Sequence, residues 1–282
     1  MKMSFDEFYS DAYGSRWSEL KKALVQPRQH VAYYNPYHKG LGPQGKQVLD
    51  GAYFLEGGFE PPQADSDGIY NYYLLDAASI IAAKALDAQA GEKVLDMCAA
   101  PGGKSIVLAT GTPGIKLTSN DRSANRRNRL IKVFDNYLPK EVRDNIHITG
   151  HDSKTWCLYE KEAYDKILLD APCSSERHLL ETKIKDWKVG RTKRLSKEQF
   201  TMISSAGQVL KPNGLMVYST CSISPHENDR VIEKFLKRNP HFSLQCKTYQ
   251  LGEPTEFGHI ILPDTCGWGP IYFSVLKKNG SS

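Results

Sequence analysis

Beyond Gly91 the chain alternates between short apolar runs and longer segments with helical spacing. Five runs have the length and apolar content of buried strands, namely KVLDMC (93–98), IKLTSND (115–121), NIHITGHD (145–152), YDKILLD (164–170) and GLMVYSTCS (214–222). The segments AAPGGKSIVLAT, SANRRNRLIKVFDNYL, EQFTMISSAGQVLK and ENDRVIEKFLKRN lie between or after them and favour helices. FSLQCKTY and IYFSVLKK are expected to close the sheet. This order predicts an α/β fold with a doubly wound, mostly parallel, seven-stranded sheet.

The first 90 residues follow a different pattern. Apolar and aromatic residues recur at helical spacing in FDEFYSDAYGSRWSELKKALVQ, whereas three prolines and six glycines between residues 27 and 58 predict irregular structure. YNYYLLDAASIIAAKALDAQAGEK is expected to form one alanine-rich helix that ends at Gly91. We therefore expect a small helical and irregular N-terminal extension over residues 1–60 and a main domain over residues 61–282.

Two short motifs resemble helix N-termini. Ser196 and Gln199 have the spacing of a capping box before EQFTMISSAGQVLK. Ser224, Pro225 and Glu227 have the same arrangement before ENDRVIEKFLKRN, with proline at the first helical position. Both motifs predict that a helix begins there.

Composition narrows the class of protein. The 282 residues are 40% hydrophobic and 24% charged, and no apolar run approaches the roughly 18 residues that span a bilayer. MKMSFDEFYSD resembles neither a signal peptide nor a transit peptide, so we expect no membrane and a cytoplasmic protein if the source is bacterial, with a mitochondrial site compatible with a eukaryotic source. The six cysteines have no C-x-x-C spacing, which predicts free thiols and no metal.

The stretch VLDMCAAPGGKS is typical of a cofactor loop. Gly102 and Gly103 follow a strand and open a helix, whose free N–H groups and close backbone approach suit a ligand. The pattern is neither G-x-G-x-x-G nor a Walker loop, which disfavours a dinucleotide or a triphosphate. A simple connecting turn is the alternative interpretation.

Three aspartates stand at the ends of successive predicted strands. Asp121 lies 18 residues beyond Gly103, the approximate spacing at which an acid accepts the ribose hydroxyls of a nucleoside. Asp152 and Asp170 end the next two strands. Aspartate is common in such turns, but three at one sheet edge favour a site.

Two cysteines lie just beyond neighbouring strands. Cys173 follows Pro172 in LLDAPCSSERH, and Cys221 stands in YSTCS. We expect them to face each other across a cleft, where a thiolate that adds to an electron-poor base would serve covalent catalysis. The alternative is two unrelated buried cysteines.

Together VLDMCAAPGGKS, SNDRSANR, LLDAPCSS and YSTCSISPHEND resemble the NOL/NOP/Sun family of S-adenosylmethionine-dependent RNA cytosine-5 methyltransferases, over Val94 to Asp229. YYLLDAAS and WGPIYF look most like its mitochondrial ribosomal-RNA branch and the bacterial relatives of that branch. The resemblance implies a Rossmann-like class I methyltransferase fold.

The resemblance also implies residue roles. Cys221 would be the nucleophile and Cys173 would assist product release, with Asp170 and Lys104 nearest the reacting centre. Asp121 would bind the ribose with Arg126 close by, and Asp152 would accept from the adenine amino group. The methionine end of S-adenosylmethionine would be held by Cys98, Ala99, Ala100, Pro101, Gly102, Gly103 and Lys104, with Asp170 adjacent.

Two clusters of basic residues, one from Arg122 to Arg129 and one from Lys183 to Arg194, indicate a polyanionic partner, although the net charge of the chain is only +5. Trp187 lies within the second cluster and is expected to stack on a base of single-stranded RNA. A solvated surface is the alternative interpretation. The residues expected to contact RNA are Arg122, Arg127, Arg129, Lys183, Lys185, Trp187, Lys188, Arg191, Lys193 and Arg194.

Three other functions compete with RNA methylation. A DNA cytosine-5 methyltransferase takes its nucleophile from a Pro-Cys motif, but such enzymes carry an E-N-V triplet that is absent here, and a TCS cysteine is present. A non-catalytic RNA-binding or assembly factor would have no need of both thiols, and neither would a small-molecule methyltransferase. The sequence leaves open which RNA is modified, ribosomal or transfer. It also leaves open whether target choice depends on RNA contacts of residues 1–60, on the second basic cluster or on a protein partner.

Overall fold

The computed structural model describes residues 3–55, 58–182 and 184–280. The helices are α1 (Phe5–Tyr13), α2 (Trp17–Leu24), α3 (Ala77–Lys84), α4 (Gly103–Gly111), α5 (Ala124–Tyr137), α6 (Lys140–Arg143), α7 (Glu176–Thr182), α8 (Val189–Val209), α9 (Asp229–Arg238) and α10 (Pro263–Cys266). The strands are β1 (Val31–Tyr34), β2 (Lys46–Leu49), β3 (Ala52–Phe54), β4 (Tyr72–Leu75), β5 (Lys93–Asp96), β6 (Lys116–Asn120), β7 (His147–Thr149), β8 (Tyr164–Asp170), β9 (Leu210–Thr220), β10 (Phe242–Leu244), β11 (Glu253–Pro254), β12 (His259–Ile261) and β13 (Ile271–Lys278).

The larger sheet confirms the predicted α/β class. Its strand order is β11-β12-β13-β9-β8-β5-β6-β7, and β10 pairs with β13. The five strands from β9 to β7 are parallel, whereas β10 to β13 add antiparallel pairs at one end. The described residues thus form nine strands rather than seven, because β11 and β12 are too short to give an alternating pattern.

The strand order creates a switch point between β5 and β8. From β5 the chain moves outward to β6 and β7, and it then returns to the other side of β5 to form β8 and β9. Ligands bind at the carboxyl ends of strands where the order reverses in this way. The parallel register sets Asp170 of β8 beside Ser219 of β9, which brings the two cysteine loops to the same edge.

The N-terminal region is more regular than the sequence indicates. Residues 27–60 were expected to be irregular, but β1, β2 and β3 form a small antiparallel sheet with β4, in which the prolines fall in the connections. The single helix expected from Tyr70 is wrong at both ends. Tyr72–Leu75 pairs with β1, and the Asp76 side chain then accepts from the Ala78 N–H and starts α3. That helix ends at Lys84, well before Gly91.

Neither predicted capping box forms. Helix α8 begins at Val189 and continues through Ser196, whose hydroxyl donates to the Lys193 carbonyl at 3.0 Å. Helix α9 begins at Asp229 without a side-chain cap. The Glu227 side chain, which was expected to cap it, instead accepts from the N–H of Ser174 in the loop that carries Cys173.

Helices α1 and α2 pack into the main core rather than onto its surface. Their buried side chains share one hydrophobic cluster with residues of β8 and β9, and comprise Phe5, Tyr9, Trp17, Leu20 and Leu24. Arg16 between the two helices also pairs with Asp264 at 2.5 Å and with Glu253. The division of the chain at residue 60 stays a prediction. Among the described residues, no helix is long and apolar enough to cross a bilayer.

Candidate active site

A cleft of about 640 Å³ opens at the carboxyl ends of β5, β8 and β9. Its walls bring together Lys104, Asp170, Cys173 and Cys221, all named from the sequence as candidates for catalysis. A cleft of about 790 Å³ lies elsewhere, beside Lys93, Lys116 and His147 at the opposite strand ends. We assign the chemistry to the smaller cleft because the nucleophilic and charged side chains converge there.

The turn after β5 requires a glycine where it packs against helix α5. Gly102 has φ of +125°, and a Cβ there would lie 3.0 Å from the Val133 side chain, so only glycine fits. Below the turn, Asp96 accepts from the Ser105 hydroxyl at 2.7 Å through one oxygen. Its other oxygen has no partner among the described residues, and burial raises the pKa of Asp96 to about 7.

Asp121 and Arg126 link this turn to the next strand. The Asp121 side chain is 5% exposed, accepts from the Ser123 N–H at 2.9 Å, and lies 3.3 Å from Arg126 Nε. Arg126 also donates to the Ala100 carbonyl in the glycine turn. A nearly dry carboxylate held at a strand end suits the paired hydroxyls of a ribose. Cys98, Pro101, Lys104 and Arg126 line the cleft and fit S-adenosylmethionine, whereas Asp121 lies outside its lining and stays a predicted ribose acceptor.

Asp152 stands at the next strand end along the same edge. One of its oxygens accepts from the Lys154 N–H at 3.0 Å, and the other lies 3.5 Å from the Arg122 guanidinium. Its side chain is about a third exposed, so acceptor capacity remains on the solvent side. This placement suits a contact with the exocyclic amine of an adenine.

The two cysteines are free thiols whose sulfur atoms lie 2.9 Å apart. A hydrogen bond from Cys173, with a further one from Ser175, lowers the pKa of Cys221. The pKa of Cys173 is raised, by its bond to Cys221, by burial and by nearby carboxylates. Cys221 also lies near the Lys104 ammonium, which attracts a thiolate and so favours ionisation of Cys221 over Cys173.

Lys104 and Asp170 form an ion pair on the floor of the cleft. Lys104 Nζ lies 2.7 Å from one Asp170 oxygen, and the Ser219 hydroxyl donates to the other at 2.8 Å. Burial alone would lower the pKa of Lys104, but the Asp170 carboxylate outweighs it and the pKa is raised. A fixed positive charge therefore stays beside Cys221.

Most of the basic residues predicted to contact RNA are exposed. Arg127 is the partly buried one: its guanidinium donates to the carbonyls of Asp121 and Arg122 at 2.8 and 3.0 Å, which stabilises the turn. Lys183 lies outside the described residues. The exposed members are Arg122, Arg129, Lys185, Lys188, Arg191, Lys193 and Arg194. Their contact with RNA stays a prediction.

The prediction that Trp187 stacks on an RNA base is wrong. Its side chain is 6% exposed and lies 5.3 Å from the Phe5 ring and 5.4 Å from the Phe8 ring, measured between centroids. Trp187 is thus an anchor for helix α1. No local pattern could have shown this, since its partners lie at the other end of the chain.

Several cleft residues were not expected from the sequence. Arg28 and His30 reach the cleft from the N-terminal region, and Arg177 donates to the carbonyls of Gly269 and Gln26 at 2.6 and 2.7 Å. The sequence contains no sign of these residues. Its one related pattern is the serine that follows each of the two cysteines, which indicates that the two loops are alike. No cluster of three or more possible metal ligands exists among the residues the structure describes.

Comparison with known proteins identifies relatives along most of the chain. The family model described as 16S rRNA methyltransferase RsmB/F matches residues 83–277. The mitochondrial tRNA (cytosine(34)-C(5))-methyltransferase of Danio rerio is 38% identical over 236 residues, which cover 77% of this chain and 64% of that protein. The 5-cytosine rRNA methyltransferase NSUN4 of Bos taurus is 34% identical over 336 residues, with 98% and 88% covered.

A solved structure shows the same architecture. A methyltransferase homolog from Pyrococcus horikoshii superposes with a TM-score of 0.77 at 25% identity, and covers 96% of this chain and 93% of its own. The match extends over the N-terminal helices as well as the sheet, since almost all of both chains is included.

Proposed function

The chain belongs to the RsmB/F family of S-adenosylmethionine-dependent RNA cytosine-5 methyltransferases, and we propose that it methylates carbon 5 of a cytosine in ribosomal or transfer RNA. The observation that carries the proposal is the pair of free thiols 2.9 Å apart. They lie in one cleft with the Lys104–Asp170 ion pair, at the carboxyl edge of the sheet. Methylation of a small molecule would need neither thiol.

Cys221 would begin the reaction. Carbon 5 of cytosine is a poor nucleophile, so its electron density must first be raised. The Cys221 thiolate donates an electron pair to carbon 6, a carbon–sulfur bond forms, and the π electrons of the 5,6 double bond become available at carbon 5. The lowered pKa of Cys221 increases the thiolate fraction for this step.

S-adenosylmethionine, when bound, supplies an electrophilic methyl group. The chain's part is to hold and orient it, with Asp121 as the acceptor for the ribose hydroxyls and Asp152 for the adenine amine. The residues from Cys98 to Lys104 would hold the methionine end. Asp170 would help to hold the base, since its carboxylate is fixed by Lys104 and Ser219.

Product release needs a base and a leaving group. A base takes the proton from carbon 5, that bonding pair restores the 5,6 double bond, and the carbon–sulfur pair returns to Cys221 as thiolate. Cys173 is suited to assist this step because its raised pKa keeps it protonated, so it can donate a hydrogen bond to the departing sulfur. The reverse assignment, with Cys173 as the attacker, would place the thiolate on the sulfur whose pKa is raised rather than on the one beside the Lys104 ammonium.

The RNA would enter over the exposed basic residues. Arg122 follows β6 and Arg129 lies on α5, whereas the basic residues from Lys185 to Arg194 lie in the segment that follows the Cys173 loop. Phosphate contacts of this kind give affinity without sequence preference. We therefore propose that target choice also depends on the RNA's shape or on a protein partner.

The test is methyl transfer from labelled S-adenosylmethionine to total RNA, followed by digestion to nucleosides. We expect the label in 5-methylcytidine with RNA, and none with DNA of matched sequence. Bisulfite sequencing of RNA from cells that lack the protein would then locate the cytosine. Label in another nucleoside, or in DNA alone, would contradict the proposal.

A further inference from the structure

Two glutamates are buried directly behind the thiols. Glu176 and Glu227 both have 0% exposure, and neither reaches the cleft. Glu176 lies three residues after Cys173, and Glu227 lies six residues after Cys221. Acids are seldom buried completely, so their contacts require a reason.

Each glutamate holds the loop that carries the other cysteine. Glu227 accepts from the backbone N–H of Ser174, which directly follows Cys173, at 3.0 Å. Glu176 accepts from the backbone N–H of Ile223, two residues after Cys221, also at 3.0 Å. The two bonds cross, so neither cysteine loop can shift without breaking a bond to the other. We call these two glutamates the carboxyl clasp.

Two serines join the halves of the clasp. The Ser174 hydroxyl contacts one oxygen of Glu176, one oxygen of Glu227 at 2.5 Å, and the Ser222 hydroxyl at 3.1 Å. Ser174 and Ser222 are the residues that follow the two cysteines. The serines therefore couple the positions of both thiols to the same buried acids.

The hydrogen bonds between the serines and glutamates of the clasp require one more proton than the two serine hydroxyls provide. The three oxygen–oxygen contacts around Ser174 need three hydrogens, and the two hydroxyls supply two. The third must belong to a carboxylic acid. Glu176 already accepts from the Tyr9 hydroxyl at 2.7 Å and from Ile223, whereas Glu227 has an oxygen that faces only Ser174. The proton therefore belongs on Glu227.

We propose that Glu176 and Glu227, with one shared proton on Glu227, are positioning residues that fix the separation of Cys173 and Cys221. The inference rests on the covalent function proposed above, since only such chemistry requires two thiols at a set distance. Burying an acid pair is no efficient route to stability, because apolar side chains of similar size stabilise a core at least as well.

Helix α1 completes the clasp. The Tyr9 hydroxyl donates to Glu176, and the Tyr13 hydroxyl donates to the Ile223 carbonyl at 2.7 Å. The N-terminal segment thus holds the Cys221 loop in place from behind, through the acid and through the backbone. This explains why its aromatic side chains are buried in the main core.

The test measures thiol proximity without RNA or cofactor. Diamide, a diazene oxidant, is reduced to a hydrazine as two thiols within reach become a disulfide, and peptide mapping identifies the Cys173–Cys221 product. The variants are Glu227→Gln, Glu227→Ala and Glu176→Gln in the full chain. Glu233→Gln is the matched control, since that glutamate is on the surface of helix α9, which follows Glu227, and pairs with Lys237.

Glutamine can replace a protonated Glu227 but not an ionised Glu176. At position 227 its N–H can donate to Ser174 while its oxygen accepts from the backbone, so the cross-linking rate should stay near that of the parent. At position 176 its N–H would face donor groups, and Glu227→Ala removes the hydrogen bonds to the Ser174 N–H, the Ser174 hydroxyl and the Gln199 amide. Both changes should slow cross-linking about tenfold or more, because Glu176→Gln removes an ionised acceptor and Glu227→Ala removes several neutral hydrogen bonds at once.

Two results would overturn the proposal: equal rates in all variants, or equal slowing by glutamine at both positions. If a variant is poorly folded, covalent trapping of RNA gives the second measurement: Glu176→Gln should lower kcat for adduct formation with KM near that of the parent. The kcat is expressed per folded protein, because loss of folded protein alone lowers the apparent kcat and leaves KM unchanged, and a kcat so normalised that equals that of the parent would contradict the proposal. The cross-linking rates stand even if RNA methylation is disproved, so failures of the two proposals are distinguishable.

Discussion

Replacing Asp121 with asparagine removes a negative charge and keeps an oxygen that can still accept from the Ser123 N–H. The side chain is only 5% exposed, so water screens that charge poorly. Its partner Arg126 is 47% exposed and can turn to solvent, so the loss of that ion pair should cost little free energy. The main loss should therefore fall on the cofactor's ribose hydroxyls.

Loss of a hydrogen bond to a charged group costs about 1.5–3 kcal/mol, which corresponds to roughly a 10- to 150-fold weaker Kd. We expect Asp121→Asn to weaken binding of S-adenosylmethionine within this range, as measured by isothermal titration calorimetry. Asp121→Ala should bind still more weakly, because the turn at Ser123 also loses its acceptor. Circular dichroism would establish that each variant is folded.

The matched control is Asp135→Asn. That aspartate also pairs with an arginine, at 3.2 Å from Arg143, but it is exposed on helix α5 away from the glycine turn. Its affinity for the cofactor should equal that of the parent. If Asp121→Asn binds within twofold of the parent as well, the assignment of Asp121 as the ribose acceptor is wrong.

Three further predictions concern RNA, stability and pH. Neutral residues in place of Lys185, Lys188, Arg191, Lys193 and Arg194 should flatten the plot of log affinity against log salt by up to about 0.7 per lost phosphate contact, and an unchanged slope would return these side chains to a solvated surface. Trp187→Ala should lower the free energy of unfolding by about 3–5 kcal/mol in a urea titration, whereas loss of RNA affinity at unchanged stability would restore base stacking. Burial raises the pKa of Glu227 from 4.5 to about 7, so its contribution to stability is present below pH 4.5 and is lost as pH rises through 7. Relative to the parent, Glu227→Gln should gain stability over that window, and parallel pH profiles would contradict the protonated acid.

The parallel strands were predictable because buried strands carry their signal locally. Strand β8 (YDKILLD) is the clearest case, since its mostly apolar, buried run ends in Asp170, which the topology brings to the cleft. Asp170, Cys173 and Cys221 were found in this way, as residues that directly follow such runs.

The rest of the site depends on contacts between distant segments. The small sheet forms because β1 pairs with β4, although the chain between them includes β2 and β3, and neither strand has a strong pattern of its own. Glu227 has the spacing of a capping residue, but its side chain accepts from the buried N–H of Ser174 instead. A buried donor without a partner costs more free energy than an exposed helix end, which water can satisfy. Trp187 was misread for the same reason, since a basic surface segment gives no sign that one member points inward.

In the proposed mechanism Cys221 attacks the base and Cys173 assists release of the product. Each thiol is replaced by alanine, and the protein is incubated with substrate RNA and S-adenosylmethionine before denaturing gel electrophoresis. Cys173→Ala should accumulate a covalent protein–RNA complex after a single methyl transfer, because attack is intact and release is blocked. Cys221→Ala should give neither adduct nor methylated RNA. An adduct from Cys221→Ala but none from Cys173→Ala would contradict the assignment and support the Pro-Cys attack of the DNA enzymes.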